Sequence, residues 1–128
     1  MIDVALLTLL LLQLKHFVCD FVAQTQYQLR YKGIYGHPAG VVHAGLHVIG
    51  SAIVLVAINV TMMKMSVTFL TALLAAEFLL HYHIDWGKEQ VVKPFVEEQG
   101  MAYWAIFGLD QFLHQATYVA IAYVVFRG

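Results

Sequence analysis

Charged residues are scarce in this chain: Asp, Glu, Lys and Arg make up 12% of its 128 positions, against 61% hydrophobic residues. A soluble domain of this size buries only part of its surface and must coat the rest with polar groups, which this composition does not supply. The net charge of −1 provides neither a basic face for nucleic acid nor an acidic solvating tail, so nucleic acid is not an expected partner. A single cysteine, Cys19, excludes an intramolecular disulfide and leaves the redox compartment open. The sequence shows no internal repeat and no low-complexity segment.

What the chain has instead is length in its apolar runs. Segments of about 4–26, 39–60, 65–86 and 101–126 each reach the ~20 residues that cross a hydrocarbon core of about 30 Å. They predict an all-α fold, a polytopic membrane protein with one domain over 1–128, built as a four-transmembrane-helix up-down bundle. The first run follows Asp3 and lacks a small-residue cleavage site, so it reads as a retained membrane helix and not as a removed signal peptide.

The connection from Tyr27 to Pro38, with Arg30, Lys32 and two glycines, reads as a loop. The short link around Thr61, Met62, Met63 and Lys64 makes the second and third helices an antiparallel hairpin. Gly40, Ala44, Gly45 and Ser51 on one helix and Ala72, Ala75 and Ala76 on the other fit either close backbone approach or ordinary membrane-helix composition. From Gly87 to Gly100, charged and apolar residues alternate irregularly, which reads as a segment lying in the interface. Arg30, Lys32, Lys88 and Lys93 outnumber Lys64 and Arg127, so the two longer loops are expected in the cytoplasm and the protein in the cell (inner) membrane, crossing it several times. So small a bundle also invites self-association into a homo-oligomer.

The few polar groups inside the runs are not scattered. Glu77, His81 and Asp85 repeat every four residues and form one stripe about 80° wide on an apolar helix. His16 and Asp20, His43 and His47, and Asp110 and His114 repeat the same spacing in the other three runs. In an up-down bundle all four sets fall toward the end bearing the two longer loops, so they can meet in one leaflet. Groups this costly in hydrocarbon point to a site. Asp20, Glu77, Asp85 and Asp110 would disfavour one another's ionisation unless cations compensate them, and His with Asp and Glu is a ligand set for zinc, manganese or iron. One or two divalent ions are expected, with His16, Asp20, His43, His47, Glu77, His81, Asp110 and His114 as ligands. Asp85, nearer the mouth, or Glu77 where it is not a ligand, is the candidate general base; Lys15 either snorkels or pairs with a carboxylate, or is the candidate group for a substrate anion. His83 points away from His81 around the helix, and His37 lies in a loop; neither is expected to be a ligand. Gln24, Gln111 and Tyr103 are candidate hydrogen-bonding partners.

The ordered set Lys15-His16-x3-Asp20-Phe21-x2-Gln24, His43-x3-His47, Glu77-x3-His81-x3-Asp85 and Asp110-Gln111-x2-His114 resembles a family of small bacterial and phage integral membrane proteins, a domain of unknown function numbered three thousand three hundred and seven. That resemblance spans nearly the whole chain and implies a polytopic membrane protein without supplying a reaction. A looser likeness is to membrane-bound metal-dependent hydrolases whose short helices also carry paired His and Asp. The leading expectation is a membrane-embedded metal-dependent hydrolase that acts on an amphiphilic, phosphate- or ester-bearing substrate. The alternatives are a proton or divalent-metal transporter or channel, and a non-catalytic assembly or regulatory subunit stapled by the polar cluster.

Overall fold

Apolar runs without proline or a stop signal form long helices because a backbone in hydrocarbon must satisfy its own hydrogen bonds. In the computed structural model, which describes residues 2–62 and 64–127, four such helices lie side by side. They are α1 (Ile2–Phe17), α3 (Pro38–Met62), α4 (Val67–Val92) and α5 (Met101–Arg127), with a short α2 (Gln26–Tyr31) between the first two. α1 packs on α3 and α5, and α4 packs on the same two helices, so the four close into a ring. The chain runs up and down through it, because the C-terminal part of α1 meets the N-terminal part of α3, the C-terminal half of α4 and the first half of α5. Met63, in the α3–α4 link, lies outside the described residues. Next to it, Asn59 clamps the hairpin: its Oδ1 accepts from Met65 N at 2.6 Å and its Nδ2 donates to Met65 O at 3.3 Å.

The distribution of side chains is inside-out relative to a soluble protein. Leu6, Leu10, Val60, Val67, Met101 and Phe112 are exposed, while Lys15, His47, Glu77, His81 and Asp85 are buried. In water such an apolar surface would aggregate, whereas lipid solvates it at no cost. Ile2–Val22, Pro38–Met62 and Val67–Phe95 are each long and apolar enough to cross a membrane. α5 has the length, at 27 residues, but Asp110, Gln111, His114 and Gln115 dilute its apolar character. It nevertheless runs the length of the bundle, from Asp110 beside Asp85 and His114 at one end to Tyr118, Ile121 and Val125 in the core with Leu12 and Leu55 at the other.

Three boundaries differ from the sequence expectation. The first long helix stops at Val22, not near 26, and its last five residues, Val18–Val22, form a π-helical turn closed by Ala23 N to Val18 O at 2.8 Å. The expected loop after it contains α2, nucleated by a capping box in which Thr25 Oγ1 accepts from Gln28 N at 3.2 Å and Gln28 Oε1 from Thr25 N at 3.1 Å. The third apolar helix continues past residue 86 to Val92, so the expected interfacial segment shrinks to the 3-10 turn Lys93–Phe95 and the residues after it. That extension is held by the α2–α3 loop: Gln90 Nε2 donates to Gly33 O at 2.8 Å, and a Cβ at Gly33 would lie only 2.7 Å from Glu89 Cβ. Gly36, at φ +77°, then turns the loop so that its N–H reaches the Tyr82 hydroxyl at 2.6 Å.

Candidate metal centre

Each ring helix contributes polar side chains to the end that carries α2 and the 3-10 turn. On α3, His43 and His47 are one turn apart and their rings lie 4.8 Å from each other. Across from them is His81 of α4, whose ring is 3.8 Å from that of His47 and 4.2 Å from that of His114 on α5. His16 of α1 completes the group, 4.9 Å from His114 and 5.2 Å from His47. Five imidazoles therefore form one contiguous body in the bundle interior, each almost fully buried.

Carboxylates thread between them. Asp20 sits in the π turn, the wider helical form that recurs at functional sites. Its Oδ1 lies 2.9 Å from His47 Nε2 and 3.0 Å from His43 Nε2, and its Oδ2 3.1 Å from His16 Nε2. Asp85 Oδ1 accepts from His114 Nε2 at 3.1 Å. Its Oδ2 is 3.1 Å from His43 Nε2, 3.6 Å from His81 Nε2 and 3.3 Å from Lys32 Nζ. Asp110 Oδ1 is 3.4 Å from His114 Nε2.

Proximity here is not the same as hydrogen bonding. Asp85 Oδ2, Asp110 Oδ1 and His81 Nε2 are buried and have no hydrogen-bond partner among the described residues despite these short approaches. Each orphaned buried polar atom costs roughly 1–3 kcal/mol, so a group of them in one place demands an explanation. Nitrogen and oxygen atoms about 3 Å apart that converge without donor geometry match the edges of a coordination shell with ~2.0–2.1 Å bonds. The ligand atoms fall into three overlapping groups, each within 4.8 Å: Asp20 with His43, His47 and His81; His16 with His81 and His114; and Asp85 with Asp110 and His114. These groups could hold a metal ion. His81 and His114 each belong to two of them.

Glu77, expected among the ligands, is outside all three groups. Its Oε1 accepts from Lys15 Nζ at 2.7 Å and from Ser51 Oγ at 2.7 Å, deeper in the bundle. Lys15 is fully engaged there: its ammonium also donates to His47 O at 2.9 Å and to the Tyr118 hydroxyl at 3.1 Å. Gly50 makes the room, since a Cβ at that position would lie 3.2 Å from Lys15 Cδ. Tyr118 in turn lies 3.0 Å from His16 Nδ1 and holds that ring with Nε2 facing the centre. Such outer partners fix ring orientation at metal sites. Tyr118 extends the stripe of Asp110 and His114 by one more turn, a spacing that could have pointed to it from the sequence.

An open cleft of about 400 Å³ leads from the surface to the cluster, lined among others by Asp20, Gln24, Lys32, Lys88, Asp110 and Gln111. Asp85 and Lys15 do not line it. Two cations unassigned from the sequence, Lys32 and Lys88, do; nothing in their spacing marks them, because α2 and the extended α4 are what bring them to the rim. Gln111 Oε1 lies 3.1 Å from His16 Nε2, and Gln24 Nε2 lies 3.5 Å from both Asp20 Oδ1 and His43 Nε2. Tyr103 packs on Trp104. His83 takes partners away from the centre, Leu79 O at 2.7 Å and the Tyr35 hydroxyl at 3.2 Å, and His37 stacks on Tyr31.

Fold and site together define a helical bundle of membrane type with a buried His and carboxylate cluster that opens to one end. The chain belongs to the family described as a protein of unknown function (DUF3307), whose model matches residues 6–127. No curated protein and no solved structure matches it.

Proposed function

We propose that the protein is a membrane-embedded, metal-dependent hydrolase acting on an amphiphilic phosphate- or ester-bearing substrate. The observation that carries this reading is the set of orphaned, buried ligand atoms on four helices beside an open cleft. Zinc, manganese or iron suits the donors, and the two ends of the cluster, Asp20 with His43 and His47 and Asp85 with Asp110 and His114, suit one ion each. Bound metal supplies a water acidic enough to lose a proton near neutral pH. With an ion held by those residues, the oxygen of that water would add to the phosphorus or acyl carbon, the bond to the leaving oxygen would break, and the proton lost by the water would end on the leaving alcohol. Of the carboxylates at that end of the cluster, Asp110 lines the cleft and Asp85 does not, so Asp110 is the one an incoming substrate meets first. Lys32 and Lys88, not Lys15, face an incoming anion.

The cleft lies on the side of the two longer loops, where Arg30, Lys32, Lys88 and Lys93 favour the cytoplasm. A transporter would need polar groups continuing to the far side. Leu12, Leu55, Tyr118, Ile121 and Val125 close that half instead. The test is hydrolysis of synthetic phosphate and ester amphiphiles by metal-loaded protein in vesicles, run in 18O-water. Isotope in the acid product, lost on chelation and restored by metal, is the expected result. Metal-driven ion flux through the same vesicles without hydrolysis would overturn it in favour of transport, and a loss of stability on metal removal with neither activity would favour a structural staple.

A further inference from the structure

Beside the cleft, a second cavity of about 280 Å³ runs between α4 and α5 on the lipid-facing side, lined chiefly by Ile84, Gly87, Val91, Ile106, Leu109 and Leu113. The two cavities share Lys88 and Asp110, so an apolar groove opens directly onto the rim of the polar site. Gly87 is the informative residue. It lies within α4 at an ordinary helical φ, and a Cβ built there would meet nothing within 4 Å. Neither backbone conformation nor packing requires glycine at this position, and glycine is among the least favourable residues in a helix interior. What its missing side chain does provide is the depth of the groove.

We propose that this groove seats one acyl chain of an anionic bilayer phospholipid, whose phosphate lies in the cleft between Lys32 and Lys88. Charge and position select that occupant. On the metal-dependent reading above, on which the headgroup assignment rests, divalent ions compensate Asp20, Asp85 and Asp110, which releases Lys32 from Asp85; Lys88 pairs with Glu89 through one N–H and keeps its other donors for an anion. An apolar groove on a lipid-facing surface is filled from the bilayer, and its junction with a cationic rim at Lys88 matches the junction of chain and headgroup. The lipid would thus reach the site sideways from the membrane without leaving it.

The test uses the full-length protein in phosphatidylcholine nanodiscs doped with phosphatidylglycerol bearing a mid-chain photoactivatable diazirine. A matched phosphatidylcholine probe is the comparison. Expected is labelling concentrated on Ile84, Val91, Leu109 and Leu113, stronger for the anionic probe. Gly87→Leu, which fills the groove with a better helix former, should reduce that labelling roughly tenfold, a shift of about 1.4 kcal/mol. Lys88→Gln should remove the preference for the anionic probe while leaving the labelled positions unchanged. Labelling spread evenly over the outward faces of all helices, or equal for both probes in the wild-type chain, overturns the proposal and needs no variant to be read. Labelling is measured on metal-loaded and chelated protein: groove labelling that survives in protein without hydrolytic activity refutes the reaction but keeps the groove, and hydrolysis without groove labelling does the reverse.

Discussion

The two halves of the bundle are equally well buried by opposite means. In the half that holds the N-terminus of α1 and the C-terminus of α5, Leu12, Leu55, Ile121 and Val125 fill the space between helices, with Leu9, Leu73 and Phe126 packed around them. In the other half the same helices bring together five imidazoles and three carboxylates, several without partners. The first half is filled by apolar contact, and its polar Asn59 is satisfied by the Met65 backbone. The second does not satisfy its own groups, and that difference locates function. Between them a layer of Lys15, Ser51, Glu77 and Tyr118 faces both ways, binding Lys15 to Glu77 below and His16 to Tyr118 above.

The predictions follow that division, in descending size. His81→Ala removes a ligand atom shared by two candidate groups. Metal affinity, read by competition with a coloured chelator, should fall more than the roughly 10–100-fold typical of losing an outer partner, while circular dichroism stays helical. In the middle layer, Lys15→Met leaves the Glu77 carboxylate buried and unpaired, which should cost about 3–5 kcal/mol in unfolding from detergent micelles. The double variant Lys15→Met with Glu77→Leu should recover most of it. If the single variant were neutral, the layer would not be a buried ion pair. In the apolar half, Leu55→Ala should cost about 2–5 kcal/mol through the cavity it leaves, yet bound metal should not change; loss of metal there would join the two halves into one unit. Tyr118→Phe removes one hydroxyl that touches both Lys15 and His16. It should cost about 1–3 kcal/mol and about tenfold in metal affinity, the signature of a residue that orients a ligand from outside.

The division was visible in the sequence to the extent that helical periodicity reports it. Residues four apart on long apolar runs, as in His43 and His47 or Asp110 and His114, fix a shared face before any contact is known. Their meeting in one end follows from alternating chain direction. What periodicity cannot report is depth at the resolution of one turn. Glu77 continues the stripe of His81 and Asp85, yet one turn deeper it meets Lys15 and Ser51 and not the imidazoles. For Lys15 the sequence leaves pairing with a carboxylate and reception of a substrate anion both open, and the structure shows the pairing, with Glu77 of α4. The π turn around Asp20, the capping box of α2 and the run of α4 to Val92 decide which cations reach the rim, and none of them has a hydrophobic-pattern signature.

All of this turns on whether the unsatisfied half is completed by metal. Elemental analysis of protein purified in mild detergent without chelator or added metal answers that most directly. The account predicts one or two divalent ions of zinc, manganese or iron per chain, consistent with the three overlapping ligand groups. Substoichiometric metal of every kind in folded protein that also fails to bind any of the three ions when they are added would contradict it.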